Sequence, residues 1–342
     1  MGGTMATMAM ALDTTKTMHA AVRRRWGRPG EVVELAEIPK PEPADDEVLV
    51  RVRASSINRS DYYALGGAAL IMRPMIGGFR RPKDERLGGD FAGIAEAAGK
   101  DVTDVQPGDE VYGTRTGAFA EYVSAKTAVV RKPANLTFEQ AAAVPIGALT
   151  ALEAIRDQGQ LQPGQRVLVN GASGSVGTFA VQLAKALGAA HVTAVCSTRN
   201  VERARALGAD HVIDYTREDY TLSGERCDLI VDVAGNRSWR QNRRVLFPDG
   251  TLVLVGMPKG SSLAGPLPRL ARTYLAARIA RRNLKFFICR PNRPNLVFLR
   301  ELIEAGKVTP AVDRVYSFAE IPDALAAMGE GHVQGKLVVR ID

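Results

Sequence analysis

The chain has 342 residues, which at roughly 100–200 residues per domain points to two domains. Hydrophobic residues make up 46% and charged residues 24%, a balance that excludes a disordered, collagen-like or disulfide-scaffold protein. The three cysteines (Cys196, Cys227, Cys289) are too few for a four-cysteine zinc lobe and odd in number, so they read as reduced thiols in a cytoplasmic chain.

Residues 1–17 repeat Met, Ala and Thr without periodicity and read as a loose tail. They lack the basic region and apolar core of a secretory signal. Residues 18–136 are β-rich. Glu47 to Ala54 alternates apolar and charged side chains, the pattern of a half-buried strand, and Pro107-Gly108-Asp109 reads as a turn. At Thr137 the character changes: Thr137 with Gln140 reads as a capped helix start. Apolar strands and helices then alternate. Strands are expected at Arg166–Asn170, His191–Cys196, His211–Asp214, Asp228–Asp232 and Thr251–Val255, with helices at Val176–Leu187 and Val201–Leu207 that close on Gly188 and Gly208. Such a series predicts an α/β fold with a doubly wound parallel sheet covered on both faces.

The most informative string runs from Val167 through Asn170 to Gly171-Ala172-Ser173-Gly174-Ser175-Val176-Gly177. A buried strand, a Gly-rich turn and a helix follow in order, with a second strand about 20 residues on, which together predict a dinucleotide site. Gly174 lets the backbone approach a pyrophosphate, Gly177 lets helix pack on strand, and the helix N-terminus offers free N–H groups. Ala172 stands where the usual fingerprint has its first Gly. The end of the second strand reads Cys196-Ser197-Thr198-Arg199-Asn200, with no acid before Glu202. Two hydroxyls and a guanidinium suit a 2′-phosphate, so NADPH is expected over NADH, with Lys185 adding charge. The alternatives are helix capping for Ser197 and Thr198 and a solvated face for Arg199 and Lys185.

Between Asp249 and Glu301 there is no acid, and ten Lys or Arg account for the net charge of +8. Charge so localised is not the footprint of a nucleic-acid coat. Leu267–Arg282 alternates apolar residues with Arg, as in a solvated or subunit-contact helix, or in a surface drawn to an anionic substrate or membrane. Residues 305–342 return to β character at Gly335–Arg340, so residues 137–304 form a central unit inserted between residues 18–136 and 305–342. His191 and His211 only start strands, and none of the four histidines is given a catalytic role.

Several strings resemble the medium-chain dehydrogenase/reductase superfamily, in its zinc-less, quinone-oxidoreductase-like branch. They are Asn58-Arg-Ser-Asp61-Tyr62-Tyr63, Gly88-Gly89-Asp90-Phe91-Ala92-Gly93, Pro107–Val111, Gly117–Tyr122 and the Ala172–Gly177 turn. The resemblance covers Met18 to Asp342. It implies a Rossmann domain inserted into a GroES-like β-barrel domain, a homodimer, and a cleft between domains. Zinc-dependent relatives carry Cys, His and Cys at the positions of Asn58, Gly89 and Ile146, so no metal is expected. Without a Lewis acid, a substrate with its own electron sink is implied: an apolar quinone or an α,β-unsaturated carbonyl. Asn58, Tyr63 and Thr150 would line the cleft, with Asn58 and Tyr63 as the catalytic candidates. Tyr63 would bond the substrate carbonyl or donate a proton, or else simply pack. Asp61 and Asp90 read as turn or strand-end hydrogen bonders. Val255-Gly256 and Phe287-Ile288 would meet the nicotinamide, while Val233-Ala234-Gly235 and Tyr215 would lie along the cofactor. The segment 70–86 mixes Met, Ile and Phe with Arg, as in an apolar flap or a surface loop. Two other functions stay open: an enoyl reductase on thioester-linked chains, and a non-catalytic NADPH sensor.

Overall fold

The computed structural model describes residues 16–67, 81–126, 128–255, 275, 276, 278 and 283–341. Gly256, most of the 70–86 segment and much of the basic run lie outside them. Strands β1 (Thr17–Arg23) and β2 (Val33–Pro39) pair antiparallel. A larger, mostly antiparallel sheet holds β3 (Val48–Ile57), β4 (Asp90–Ala98), β5 (Glu110–Thr114), β6 (Tyr122–Ala125) and β7 (Val129–Arg131).

The central unit is a six-stranded parallel sheet among the described residues. Its strands are β8 (Arg166–Asn170), β9 (His191–Cys196), β10 (His211–Asp214), β11 (Cys227–Asp232), β12 (Leu246–Leu254) and β13 (Asn283–Phe286), in the order β10-β9-β8-β11-β12-β13. That is the doubly wound order, which reverses direction beside β8 and opens a crevice there at the strands' carboxyl ends. The chain then leaves through helix Arg293–Glu304 and returns to the first domain. There β14 (Val312–Tyr316) pairs with β15 (Lys336–Arg340), which pairs antiparallel with β3. The insertion expected from the sequence is therefore the observed topology, in an α/β fold.

The local signals act as chemistry dictates. Thr137 Oγ1 accepts from the Gln140 N–H, and Gln140 Oε1 accepts from the Thr137 N–H, so two orphan donors of helix Phe138–Ala142 are satisfied reciprocally. Helix Ser175–Ala186 buries Phe179, Ala180, Val181, Leu183 and Ala184. It packs on helix Pro145–Leu152, where Gly147 leaves room for Ser175. This joint locks the first cleft-forming helix to the helix of the nucleotide turn.

Candidate active site

The nucleotide turn is built from backbone. Gly171 has φ +89°, a left-handed conformation that Gly adopts without cost. The tight bend therefore falls one residue earlier than the Ala172 of the sequence comparison, and Ala172 itself is buried. The N–H groups of Gly171 and Ala172 both donate to the Val195 carbonyl on β9, at 3.1 and 3.0 Å. A Cβ on Gly177 would collide with the Gly171 carbonyl oxygen and stand 2.7 Å from Ala172 Cα, whereas one on Gly174 would meet nothing nearer than 3.8 Å. So Gly177 is where helix meets strand, and the space at Gly174 stays open to a pyrophosphate beside the helix N-terminus. Val233 and Ala234 donate to the Asn170 carbonyl at 2.9 and 3.2 Å, which sets Val233-Ala234-Gly235 against the turn. At this edge the open space at Gly174 and the helix N-terminus suit a dinucleotide.

Two sequence expectations change at the adenine end. Lys185 lies in the last turn of helix Ser175–Ala186, ten residues and about 15 Å from the phosphate turn. Its Nζ pairs with Asp210 at 3.0 Å, so Lys185 does not serve the phosphates. An acid does stand beside the end of β9, supplied by the next strand: Asp214 is the register partner of Cys196. Thr198 Oγ1 donates to Asp214 at 2.6 Å and Thr216 donates with both N–H and Oγ1, holding the Asp214 carboxyl below the usual carboxylate range. The Asp214 oxygens are thus already engaged by the protein. Asn200 Nδ2 donates to Ser197 Oγ at 2.9 Å. Arg199 and Arg203 each donate one N–H to the carbonyls of His332 and Gln334, at 2.8 and 2.9 Å. Tyr215 is 52% exposed beside them.

At the cleft, Asn58 follows β3 as the N-cap of helix Arg59–Tyr62, and Asp90 begins β4, its register partner being Ser56. Asp90 is fully buried, and so is Lys336 at the start of β15. Lys336 Nζ stands 3.0 Å from Asp90 Oδ2 and donates to Asn58 Oδ1 at 2.7 Å. Asn58 Nδ2 donates to Asp90 Oδ2 at 2.9 Å, Ser56 Oγ to the same oxygen at 3.1 Å, and the Ile146 N–H to Asp90 Oδ1 at 3.1 Å. A buried charge pair is tolerable only when its remaining hydrogen-bonding capacity is met, and this one is met from four sides. The amide of Asn58 is oriented by it. Asp90 is therefore more than a strand-end hydrogen bonder: it anchors a buried ion pair. Sequence reading missed Lys336, which lies 278 positions from Asn58.

Asp61 accepts from the Asn58 N–H at 2.7 Å, and burial pushes its carboxyl up to about 7. Asp90 adds to that rise, while the Asn58 N–H, Lys336 and Arg23 oppose it. A Cβ on Gly89 would stand 3.7 Å from Asn58 Nδ2 and 3.8 Å from Asp61 Oδ1. Asn58, Gly89 and Ile146 thus converge around one centre. Their contributions are a committed amide, no side chain and an aliphatic one.

The two tyrosines separate. Tyr62 packs against Gly329 of helix Ile321–Glu330, leaving no room for a side chain there. Tyr63 follows helix Arg59–Tyr62 and is half-buried, its ring 6.1 Å from that of Tyr62. In the central sheet, Phe286 pairs with Leu254, bringing Val255 and Phe287-Ile288 to adjacent strand ends. Phe287 packs on the core, and Ile288 is 77% exposed. Cys289 is in hydrogen-bond contact with Thr150 and Glu153, and burial pushes its thiol up to about 12. Burial likewise raises Cys196 to about 11 and Cys227 to about 12. Thiols so held are not nucleophiles near neutral pH.

A doubly wound sheet with a nucleotide turn, joined through Gly335 to a buried polar centre, has the make-up of a nicotinamide-dependent oxidoreductase. Residues 44–134 match the alcohol dehydrogenase GroES-like domain, and residues 207–339 match the zinc-binding dehydrogenase domain. The chain is 36% identical to the mitochondrial NAD(P)H oxidoreductase RTN4IP1 of Mus musculus, covering 86% of this chain and 82% of that one. It is 29% identical to the 2-methylene-furan-3-one reductase of Solanum lycopersicum, over 90% and 76% of the two chains. The structure of the quinone oxidoreductase from Coxiella burnetii superimposes with a TM-score of 0.82 at 30% identity, over 96% of this chain and 100% of that one. The protein belongs to the medium-chain dehydrogenase/reductase superfamily, among its quinone-oxidoreductase-like members. Among the described residues no helix is long and apolar enough to cross a membrane.

Proposed function

We propose that the protein reduces a small apolar quinone or α,β-unsaturated carbonyl with NADPH, without a catalytic metal. The observation that carries this reading is the buried Asn58–Asp90–Lys336 centre. It occupies the cleft where, by resemblance, zinc-dependent relatives hold their metal. Asn58, Gly89 and Ile146 cannot replace that ligand set, since a tetrahedral catalytic site needs three protein donors. Zinc does not fit here.

When bound, the nicotinamide supplies the hydride. The turn at Gly174–Gly177 would hold the pyrophosphate, and Ser197, Arg199 and Arg203 favour a 2′-phosphate, the Thr198 hydroxyl being spent on Asp214. Asp214 keeps its negative charge under the hydrogen bonds from Thr198 and Thr216, so the preference for a phosphate rests on the two guanidinium groups that offset it. In this reading Tyr63 bonds the substrate carbonyl, since Tyr62 is committed to packing against Gly329. A substrate that stabilises its own added electrons needs no Lewis acid. The similarity to a quinone oxidoreductase and to an enone reductase supports both substrate types.

The test is the loss of NADPH absorbance with purified protein, using a naphthoquinone, a cyclic enone and NADH as control, with and without EDTA. NADPH-selective turnover unaffected by EDTA is expected. Equal KM values for NADH and NADPH, or loss of activity on chelation that zinc restores, would overturn the reading.

A further inference from the structure

We infer that His191, His211 and Glu225 form a binding site for a borderline divalent metal ion such as Zn²⁺, on the sheet edge opposite the nucleotide turn. His191 and His211 begin the adjacent parallel strands β9 and β10, and Glu225 lies in the segment leading into β11. In the parallel register His211 sits beside Thr193, two residues beyond His191, so both imidazoles project from the same face of the sheet. One ligand atom from each of the three residues lies within 4.8 Å of the others. His211 Nδ1 and Glu225 Oε2 are 4.0 Å apart. Tetrahedral zinc with bonds of about 2.0–2.1 Å brings donor atoms to roughly 3.4 Å from one another. Side-chain rotation closes that difference, and Glu225 is exposed beside Gly224, whose φ is +77°.

A second observation points to a ligand. His191 Nε2 is buried and has no hydrogen-bond partner. A buried imidazole nitrogen ordinarily finds a donor, an acceptor or a metal. The donor set selects the metal: two imidazoles and one carboxylate suit Zn²⁺, Co²⁺ or Ni²⁺ over Mg²⁺ or Ca²⁺. Three protein ligands leave one position for water. The competing charge is Arg166, whose Nη2 stands 3.4 Å from Glu225 Oε2; its side chain is 42% exposed and free to swing away. Strand β9 separates this site from the nucleotide turn by about 17 Å. The metal would therefore tie β9, β10 and the entry to β11 together rather than act in hydride transfer.

The experiment uses the full chain without an affinity tag, stripped with EDTA and titrated with Co²⁺ by visible absorption and with Zn²⁺ by calorimetry. One saturable site per chain is expected, with the intense bands of tetrahedral Co²⁺ and a higher Tm in the loaded protein. His191→Gln and His211→Gln should each weaken binding about tenfold or more, judged from the 10–100-fold cost of losing even an outer-shell partner. Arg166→Gln should tighten it roughly two- to fivefold, the worth of the ion pair it releases. NADPH turnover checks that each variant is folded and should be unchanged. His211→Gln is at an exposed position and remains informative if His191→Gln does not fold. Absence of a saturable site, or equal affinity in a folded histidine variant, would mean adventitious metal only and would overturn the proposal.

Discussion

Replacing Lys336 by Met keeps the length of the side chain and removes its charge. Lys336 and Asp90 are both fully buried, so the variant leaves a carboxylate without its counter-ion. Breaking such a pair from one side costs about 3–5 kcal/mol. Asp90 would keep its bonds from Ser56, Asn58 and Ile146, which places the cost at the lower end, about 3 kcal/mol. At roughly 2–4 °C per kcal/mol for a large domain, the loss is about 6–12 °C in Tm. The Asp90→Asn, Lys336→Met double variant removes both charges and should recover most of it, with a coupling energy of about 2 kcal/mol or more. The assay is thermal unfolding of all four proteins of the cycle, alongside kcat. Because Asn58 Oδ1 loses its donor, kcat should fall in the single variant while NADPH affinity is kept. A Tm change under 2 °C, or no coupling in the cycle, would refute the reasoning.

Gly177→Ala forces a Cβ against the Gly171 carbonyl; overpacking of about 1–3 kcal/mol should weaken NADPH binding roughly 5–150-fold by fluorescence titration. Arg199→Gln removes a guanidinium whose charge-assisted bond to phosphate is worth about 1.5–3 kcal/mol. The kcat/KM preference for NADPH over NADH should drop roughly 10–150-fold, and an unchanged ratio would show that Arg199 serves only the His332 carbonyl. Burial raises Asp61 to about 7 from an ordinary value of 3.8. The folded state then binds more protons than the unfolded one, so the contribution of Asp61 is fully present below about pH 4 and is lost as pH rises to 7. Asp61→Asn should therefore flatten the decline of Tm with pH between 5 and 7, and a slope unchanged from the parent chain would contradict this.

The central unit was legible in the sequence because its signals are local: a buried strand, a Gly-rich turn and a helix closed by Gly188 are contiguous. The expected bounds of His191–Cys196 and His211–Asp214 are the observed ones. What escaped was whatever depends on a neighbour distant in the chain. Asp214 reads as the end of its own strand, and only strand pairing brings it beside Cys196. Lys185, at the far end of the phosphate helix, reads as an added charge, and only the packing of the next strand's entry shows it paired with Asp210. Lys336, at the polar entry to an apolar strand, looks solvated, yet the β15–β3 pairing carries it beneath Asn58.

The chain turns at Gly335, whose N–H donates to the Ser173 carbonyl of the nucleotide turn at 2.9 Å, and the next residue is Lys336. One peptide unit of the barrel domain thus touches both the cofactor's cradle and the floor of the cleft. The hydrogen bond ties the two halves of the site together at the point where their spacing matters to the reaction. The domains are consequently poor modules. A chimera that exchanges residues 137–304 for those of a relative keeps its alignment only if the incoming turn still fits the resident Gly335. Grafts that carry the final strand along with the central unit should be the ones that retain turnover.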